Sequence, residues 1–295
     1  MAENFLPRTL GIHDGSFHAD EVTATAFLVL FDLIDKNLIY RTRDESVLRR
    51  CEYVCDVGGI YDPQIKRFDH HQIQYKGNKS SAGMILLYLK DVGIIPPDLY
   101  DFFNYSLVIG VDAHDNGQVK LEPGFCSFSQ VISNFLPVTY DAFPEEQDKT
   151  FFDALDFTSR YLQRLQNRFL YLKTCKEIVR KHMQNRSQCL IFEEPVAWIE
   201  SFFELGGESH PALFVIMPSQ NHWKLRAIPP NLSNRMQMRH PLPLEWAGLH
   251  AIELKKISKI PGAIFCHKSR FISIWETKQD ALKAFDFVIK RSKKK

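Results

Sequence analysis

Short apolar runs alternate with amphipathic stretches along the first third of the chain. Thr9–Ile12 is apolar enough for a strand, and apolar residues recur every three or four positions over 22–34, which predicts a helix. Further strands are predicted at 38–40 and 53–55, and Ser80 can cap another helix. This alternation indicates an α/β domain with a mostly parallel, helix-covered sheet.

Two longer apolar patterns follow. Residues 99–111 fit a helix, or a helix followed by a strand, and they lead directly to Asp112–Asp115. Residues 151–186 carry one apolar face, which predicts a long helix or a pair of helices. We interpret this stretch as the connection to a second domain.

The pattern changes to β after about residue 188. Two hairpins are predicted at 212–228 and 263–274, and a final amphipathic helix follows them. We therefore predict an N-terminal catalytic domain over 1–187, which includes the long helix. A smaller α+β domain over 188–295 would help to grip the substrate.

The composition is that of a folded protein. The chain has 295 residues, of which 45% are hydrophobic, so it can bury a large core in one or two domains. No apolar run reaches about 18 residues, which predicts that no segment spans a membrane. Met1–Arg8 lacks an apolar signal core, so we expect a cytoplasmic protein with reduced, mostly buried cysteines.

Charge is divided unevenly along the chain. Residues 1–150 contain 13 basic and 22 acidic side chains, whereas residues 151–295 contain 24 basic and 13 acidic side chains. An acidic half and a basic half fit a carboxylate metal site beside a surface for a polyanion. The alternative is that surface charges segregate by chance.

Imidazole and carboxylate groups follow several of the apolar runs. Polar residues at the ends of buried strands are where open α/β sheets form their sites. Such a set could hold two divalent cations, and mixed imidazole and carboxylate ligands suit Mn²⁺ better than Mg²⁺, although Mg²⁺ stays an option. Taken singly, each residue could instead be a hydrogen-bonded loop histidine or a helix-capping aspartate. The set comprises His13, His18, Asp20, Asp56, His70, His71, Asp112 and Asp115.

Several sequence motifs together resemble the Myg (melanocyte proliferating gene) family, which itself resembles the DHH phosphoesterase superfamily. The resemblance covers nearly the whole chain, and the first four motifs are specific in combination. The motifs are His13–Glu21, Arg41–Asp44, Val54–Gly59, Phe68–His71, Ser80–Gly83, Val111–Gly117, Pro241–Leu249 and Pro261–Phe265.

The resemblance implies a two-domain enzyme with a DHH-type N-terminal domain and a dinuclear Mn²⁺ site. Carried onto this chain, it implies that His13 and Asp56 hold one metal ion and that Asp56 bridges to the other. Asp20 and His70 would hold the second ion, and His71 would contact the scissile phosphate.

Two ligand positions stay open under this resemblance. His18 stands where the superfamily has an aspartate, so we expect it to be a ligand as well. Asp112 and Asp115 both fit the place of the last acidic ligand, and we favour Asp112 because it directly follows the apolar run.

Basic and aromatic residues are the candidates for binding substrate. Arg160 and Arg164 share one face of the long helix and could bind flanking phosphates, unless they are simply a solvated helix face. His267, Lys268 and Arg270 are the nearest candidates for a phosphate contact in the second domain, unless they form an ordinary basic turn. Three rings could stack on bases, although a place in the core is the favoured interpretation of each: Tyr161, Trp223 and Phe271.

Three functions compete at this stage. The family resemblance favours a metal-dependent phosphodiesterase, a 3′→5′ exonuclease on single-stranded RNA or short oligonucleotides. The same metal site would also serve a small-molecule phosphohydrolase acting on pyrophosphate, a nucleotide or a cyclic dinucleotide. The third alternative is a non-catalytic nucleic-acid-binding protein.

Overall fold

The computed structural model describes residues 6–120 and 122–292, and it divides the chain into two compact units between Phe169 and Leu170. Residues 1–5, on which part of the cytoplasmic prediction rests, lie outside the described residues. Within the described residues, no helix is both long and apolar enough to cross a membrane.

A five-stranded sheet forms the centre of the first unit, in the order β2-β1-β3-β5-β4. The first four strands in this order are parallel, and β4 runs antiparallel to β5 at the edge. The predicted α/β class with a mostly parallel sheet is confirmed. The strands are β1 (Leu6–Ile12), β2 (Ile39–Arg41), β3 (Cys51–Cys55), β4 (Tyr61–Asp62) and β5 (Arg67–Phe68).

Seven α-helices begin among the described residues of the first unit, and the most buried of them, α1, packs on the sheet and against α3. The core of this unit includes Leu10 and Ile12 of β1 and Phe27 of α1, which are fully buried. The helices are α1 (Ala19–Leu30), α2 (Glu45–Leu48), α3 (Ser81–Asp91), α4 (Pro97–Phe103), α5 (Ile109–Asp115), α6 (Phe128–Ser133) and α7 (Pro144–Met183).

The apolar segment 99–111 is helical throughout, so the strand that was one alternative for its end does not form. A π-helical turn, Asn104–Val108, joins α4 directly to α5. Asp112 and Asp115 therefore lie inside α5 rather than after a strand. The apolar run is continuous because α4 and α5 bury the same side against α1 and α3, as the fully buried Phe103 and Val108 show.

The second unit has a sheet in the order β6-β7-β8-β10-β9, in which only the β6–β7 pair is parallel. This is the α+β arrangement predicted for the end of the chain, and both predicted hairpins form. Its strands are β6 (Cys189–Ile191), β7 (Phe214–Ser219), β8 (His222–Ala227), β9 (Ala263–Cys266) and β10 (Ile272–Trp275), and its helices are α8 (Ile199–Glu204), α9 (Ala251–Ser258) and α10 (Lys278–Ser292).

The two compact units meet inside α7, 18 residues before the predicted boundary at 187/188. The sequence pattern changes where β6 begins, whereas the end of α7 already packs into the second unit through Cys175 and Val179. The catalytic and substrate-gripping roles given to the two predicted domains stay predictions.

Core packing in the first unit predicts a large cost for truncating Phe27. Its ring is fully buried and lies edge to face with Phe103 at a centroid distance of 5.1 Å. Phe27→Ala should lower the free energy of unfolding by about 3–5 kcal/mol because it leaves a cavity. Tyr105→Ala, at a side chain that is 88% exposed, should change it by less than about 0.5 kcal/mol. Urea unfolding measures both, and equal losses would contradict this description of the core.

Candidate metal centre

Three neighbouring parallel strands end at one edge of the first sheet, and a candidate ligand follows each of them. His13 follows β1, Asp56 follows β3, and the loop 69–71 follows β5. Parallel strands bring their carboxyl ends to the same edge, so residues far apart in sequence meet there. The sheet order β1-β3-β5 thus accounts for the convergence of these side chains.

The first turn of α1 adds further groups to this edge. The backbone N–H of His18 donates to both carboxylate oxygens of Glu21, at 2.8 and 3.0 Å, which fixes the start of the helix. Asp20 lies in the same turn and is fully buried. The start of α1 therefore supplies three of the candidate ligand groups.

Asp56 is at the centre of the group. One of its carboxylate oxygens lies 3.3 Å from His13 Nε2, and the other lies 3.2 Å from His70 Nε2. Its backbone has φ of +57°, a left-handed conformation that is uncommon for residues other than glycine. Such backbone strain is concentrated at functional sites. The carboxylate thus faces an imidazole on each side, as a bridging ligand would.

A second group forms around His70. Its Nε2 lies 3.2 Å from an oxygen of Asp115 and 3.8 Å from an oxygen of Asp20. Neither oxygen of Asp20 has a hydrogen-bond partner among the described residues, and His70 Nε2 also has none of acceptable geometry. Buried polar atoms are rarely left unpaired, so their convergence fits ligation of a cation better than hydrogen bonding among themselves.

The ligand atoms of the described residues fall into three overlapping sets, each within 4.8 Å. Asp56 is shared by two of the sets and His18 by two, so the residues can hold two neighbouring divalent cations. The donor types, imidazole nitrogen and carboxylate oxygen, are those that bind divalent metal ions. The sets are His13, His18, Glu21 and Asp56; Asp56, His70 and His71; and His18, Asp20 and Asp115.

Electrostatics around the group reflect crowded negative charge. Burial, followed by the nearby charges of Asp56 and Glu21, raises the pKa of Asp20 well above its usual range. Burial lowers the pKa of His13, but its contacts with Asp56 and Glu21 outweigh burial and raise that pKa to about 10. The carboxylates can stay close only with shared positive charge, either protons or metal ions.

His13 is oriented for ligation by its other ring nitrogen. Its Nδ1 lies 2.9 Å from the carbonyl oxygen of Asp14, which can only accept a hydrogen bond. Nδ1 therefore carries a proton whether or not the ring is charged, and Nε2, which faces Asp56 and Glu21, is the nitrogen left for a metal ion. Metal-binding histidines commonly have their tautomer fixed in this way.

His71 differs from the other candidates because its side chain is 64% exposed. Asp69 accepts hydrogen bonds from the His71 backbone N–H at 3.0 Å and from its Nδ1 at 2.8 Å, while its second oxygen accepts from Gly59 N–H at 2.6 Å. The ring is thus oriented into a cavity of about 360 Å³ that Arg43 and Asp56 also line.

Asp112 does not lie with these ligands, which corrects our sequence-based preference for it over Asp115. One of its oxygens accepts hydrogen bonds from Ser80 N–H, Ser80 Oγ and Gly83 N–H at 2.8–3.1 Å, and so caps the start of α3. The close approach requires glycine, since a Cβ at position 83 would lie 2.1 Å from Asp112 Oδ2. Asp115 is the acidic residue of α5 that lies beside His70.

Sequence reasoning did not select three further residues of this site. Glu21 directly follows Asp20, Asp69 precedes the two histidines, and Arg43 belongs to the motif Arg41–Asp44. All three lie in motifs that were recognised. Their roles depend on which way each side chain points, and sequence spacing alone does not give that.

The candidate substrate residues belong to other elements than the candidate metal ligands. Arg160 and Arg164 are exposed on α7 in the first unit. In the second unit, His267, Lys268 and Arg270 form the turn between β9 and β10, closed by the Arg270 N–H to His267 O hydrogen bond at 2.8 Å. The structure thus describes a helix face and a hairpin turn, and a role in substrate binding stays a prediction for all five.

Comparison with known proteins identifies relatives over almost the full length. The family model MYG1_exonuc, described as an uncharacterised protein family (UPF0160), matches residues 9–286. A MYG1 protein of Chlamydia trachomatis serovar D is 50% identical over 288 residues, which cover 98% of this chain and 99% of that protein. The MYG1 exonuclease of Bos taurus is 33% identical, and the match covers 94% of this chain and 83% of that protein.

Among solved structures, RecJ of Thermus thermophilus in complex with Mn²⁺ matches 96% of this chain and 52% of its own chain. The sequence identity is 12% and the TM-score is 0.28. A likeness this slight does not define a shared fold.

Crowding of buried carboxylates predicts that Asp20 destabilises the metal-free protein. Asp20→Asn should raise the metal-free free energy of unfolding by about 1–3 kcal/mol, because the wild-type carboxyl must either stay charged beside other buried acids or take up a proton on folding. Mn²⁺ at about 100 times its Kd should stabilise the wild type by about 2.7 kcal/mol and the variant by much less. Thermal unfolding with and without Mn²⁺ measures both effects. Asp286→Asn, at an exposed position of α10, is the control and should change neither.

The positions of Asp115 and Asp112 predict opposite effects of the same substitution. Asp115→Asn should weaken Mn²⁺ binding, measured by calorimetric titration, with little change in metal-free stability. Asp112→Asn should cost about 1–3 kcal/mol of stability by weakening three hydrogen bonds at the start of α3, and should keep Mn²⁺ binding. The reverse pattern would restore Asp112 as the ligand.

Proposed function

Because the chain belongs to the MYG1 exonuclease family, we propose that it is a metal-dependent phosphoesterase that removes nucleotides from the 3′ end of single-stranded RNA or short oligonucleotides. The observation that carries the proposal is the convergence of imidazole and carboxylate groups at the edge of the first sheet. The strand ends contribute His13, Asp56 and His70, and helices contribute Asp20 and Asp115.

Two divalent cations, with Mn²⁺ preferred, fit the three overlapping ligand sets. We propose that His13 and Asp56 hold one ion, with Glu21 and His18 beside them. Asp20, His70 and Asp115 would hold the other. When bound, such a pair of ions lowers the pKa of a coordinated water and neutralises charge on the phosphate during in-line displacement.

The protein's own groups would position the substrate. His71, held by Asp69 through Nδ1, presents the edge of its ring to the cavity of about 360 Å³, where its Nε2 can donate to a phosphate oxygen when both ring nitrogens carry a proton. Arg43 lines the same cavity and can bind a second oxygen of the phosphate, although it also lies 3.2 Å from Asp14. Asp69 is thus a positioning residue, since it acts on the phosphate only through His71.

The fixed geometry of Asp56 and His71 limits what substitutions the site tolerates. Asparagine adopts the left-handed backbone conformation of Asp56 more readily than most residues, so Asp56→Asn changes the charge and keeps the fold. Glutamine at position 71 removes the imidazole from an exposed side chain and leaves the buried ligands in place.

Activity assays on labelled RNA test the proposal. Wild-type protein with Mn²⁺ should release mononucleotides from single-stranded RNA labelled at its 5′ end, and shortening products should show removal from the 3′ end. Asp56→Asn should lower the rate by more than about 100-fold. His71→Gln should lower kcat by about 100-fold while Mn²⁺ binding, measured by calorimetry, stays unchanged.

Two outcomes would contradict the proposal. Equal release by wild type and Asp56→Asn would mean that the products come from another enzyme, and Asp286→Asn is the matched control for the charge change. Hydrolysis of pyrophosphate or a cyclic dinucleotide, with RNA failing to compete, would instead support the small-molecule alternative.

A further inference from the structure

The sheet of the second unit has two unlike faces. Leu225 of β8, Ser273 of β10 and Cys266 of β9 lie opposite one another and are fully buried on the side of α9 and α10. Neighbouring strand residues point to the other side. That side is only half-buried, and we call it the open sheet face. It consists of Lys224, Arg226, Phe265, Ile272 and Ile274.

Within the described residues of this unit, helices pack on the same side of the sheet over its first two strands. Val215 and Met217 of β7 pack there with the last turns of α7 and with α8. Among the described residues, Phe265, Ile272 and Ile274 belong to none of the hydrophobic clusters. The sheet thus continues from a covered part into a part whose apolar side chains are only half-buried.

A row of rings borders the open sheet face. Ring centroids lie 4.9 Å apart for His250 and Phe265, 6.2 Å for Phe265 and His267, and 4.5 Å for His267 and Phe271. The Arg226 guanidinium lies 5.7 Å from the Phe271 centroid, at the end of the row. Four rings and a guanidinium therefore form one continuous row, in which neighbouring rings are tilted against each other by 43–90°.

Two cations on this face lack an acidic partner. Within the described residues, neither Lys224 nor Arg226 lies in an ion pair, and Glu200, the acid that most affects Arg226, is bound to Arg235 at 3.2 Å. Burial lowers the pKa of Lys224, and the charge of Arg226 lowers it further. Half-buried cations of this kind are stabilised by an anion that binds from solution.

We infer that the open sheet face binds single-stranded nucleic acid, with bases stacked on Phe265 and Phe271 and phosphates paired with Lys224 and Arg226. The inference rests on the proposed function, for which it supplies a grip on the substrate away from the metal centre. Aromatic rings beside cations bind single strands without regard to sequence, whereas a duplex hides the faces of its bases.

His267 adds a directed donor to this surface. Its Nδ1 accepts the Ser269 backbone N–H at 3.0 Å, so the proton resides on Nε2. That N–H can donate to a phosphate or to a base edge. The sequence predicts only that His267 contacts a phosphate from a basic turn. We infer that it does so as one ring of the row that borders the open sheet face.

Fluorescence anisotropy on the full-length chain in EDTA tests this inference without any cleavage of the probe. The probes are labelled oligouridine and oligothymidine of about 12 nucleotides and an RNA duplex of equal length. Wild type should bind both single strands more tightly than the duplex. Phe271→Ala and Phe265→Ala should each weaken binding at least about five-fold, and Phe271→Leu should do so while keeping an apolar side chain.

Salt dependence isolates the two cations. Lys224→Gln with Arg226→Gln should reduce the slope of log K against log salt by about 1.4, which is two phosphate contacts on a single strand. Lys256→Gln and Ile252→Ala, at exposed positions of α9 on the opposite side of the sheet, are the matched controls and should bind as wild type does.

Binding by the open-face variants that equals wild type, or weakening that the α9 controls share, would overturn the inference. Equal affinity for the duplex would overturn the stacking in particular. If the wild type binds the single strands in EDTA but does not hydrolyse RNA with Mn²⁺, only the proposed function is contradicted. If Phe271→Ala fails to fold, Phe271→Leu and the two glutamine variants still decide the result.

Discussion

Negative charge gathered at one edge of a sheet is the constraint on which the rest of this structure depends. Asp20, Glu21, Asp56 and Asp115 bring carboxylates together where water is mostly excluded. Like charges at such distances repel strongly in a medium of low polarity. The arrangement is stable only when protons or cations are shared among them, and this is why the group fits a metal centre better than a structural salt-bridge network.

The fold meets this constraint with rigid elements rather than long loops. Three adjacent strand ends and the first turn of α1 each place a ligand within one or two residues of a hydrogen-bonded element. The strained backbone of Asp56 is the exception, and two neighbours help to hold it: Ser81 Oγ donates to its carboxylate at 3.3 Å, and its N–H donates to Phe68 O at 3.1 Å. A preorganised site of this kind loses little entropy when a cation binds.

The two units differ in the charge and the side chains that they supply. The acidic first half of the sequence supplies the ligand carboxylates, whereas the basic second half supplies cations beside aromatic rings on the open sheet face. The same antiparallel sheet buries one face beneath α9 and α10 and leaves part of the other uncovered. A function that needs both a cation site and a hold on a polyanion would use these two surfaces for different tasks.

Sequence alone determined the α/β class, the motif residues and the family. These signals are local, because hydrophobic periodicity and the polar residues that follow a strand depend only on residues close together in sequence. It could not separate Asp112 from Asp115. The two lie three residues apart on one helix, so they point in similar directions, and the choice depends on how α5 is rotated against α3 and the sheet. Likewise, the side chains of Phe265 and Cys266 are neighbours in β9 and point to opposite faces of the sheet. Only the tertiary structure decided that, because burial depends on which elements pack against each face.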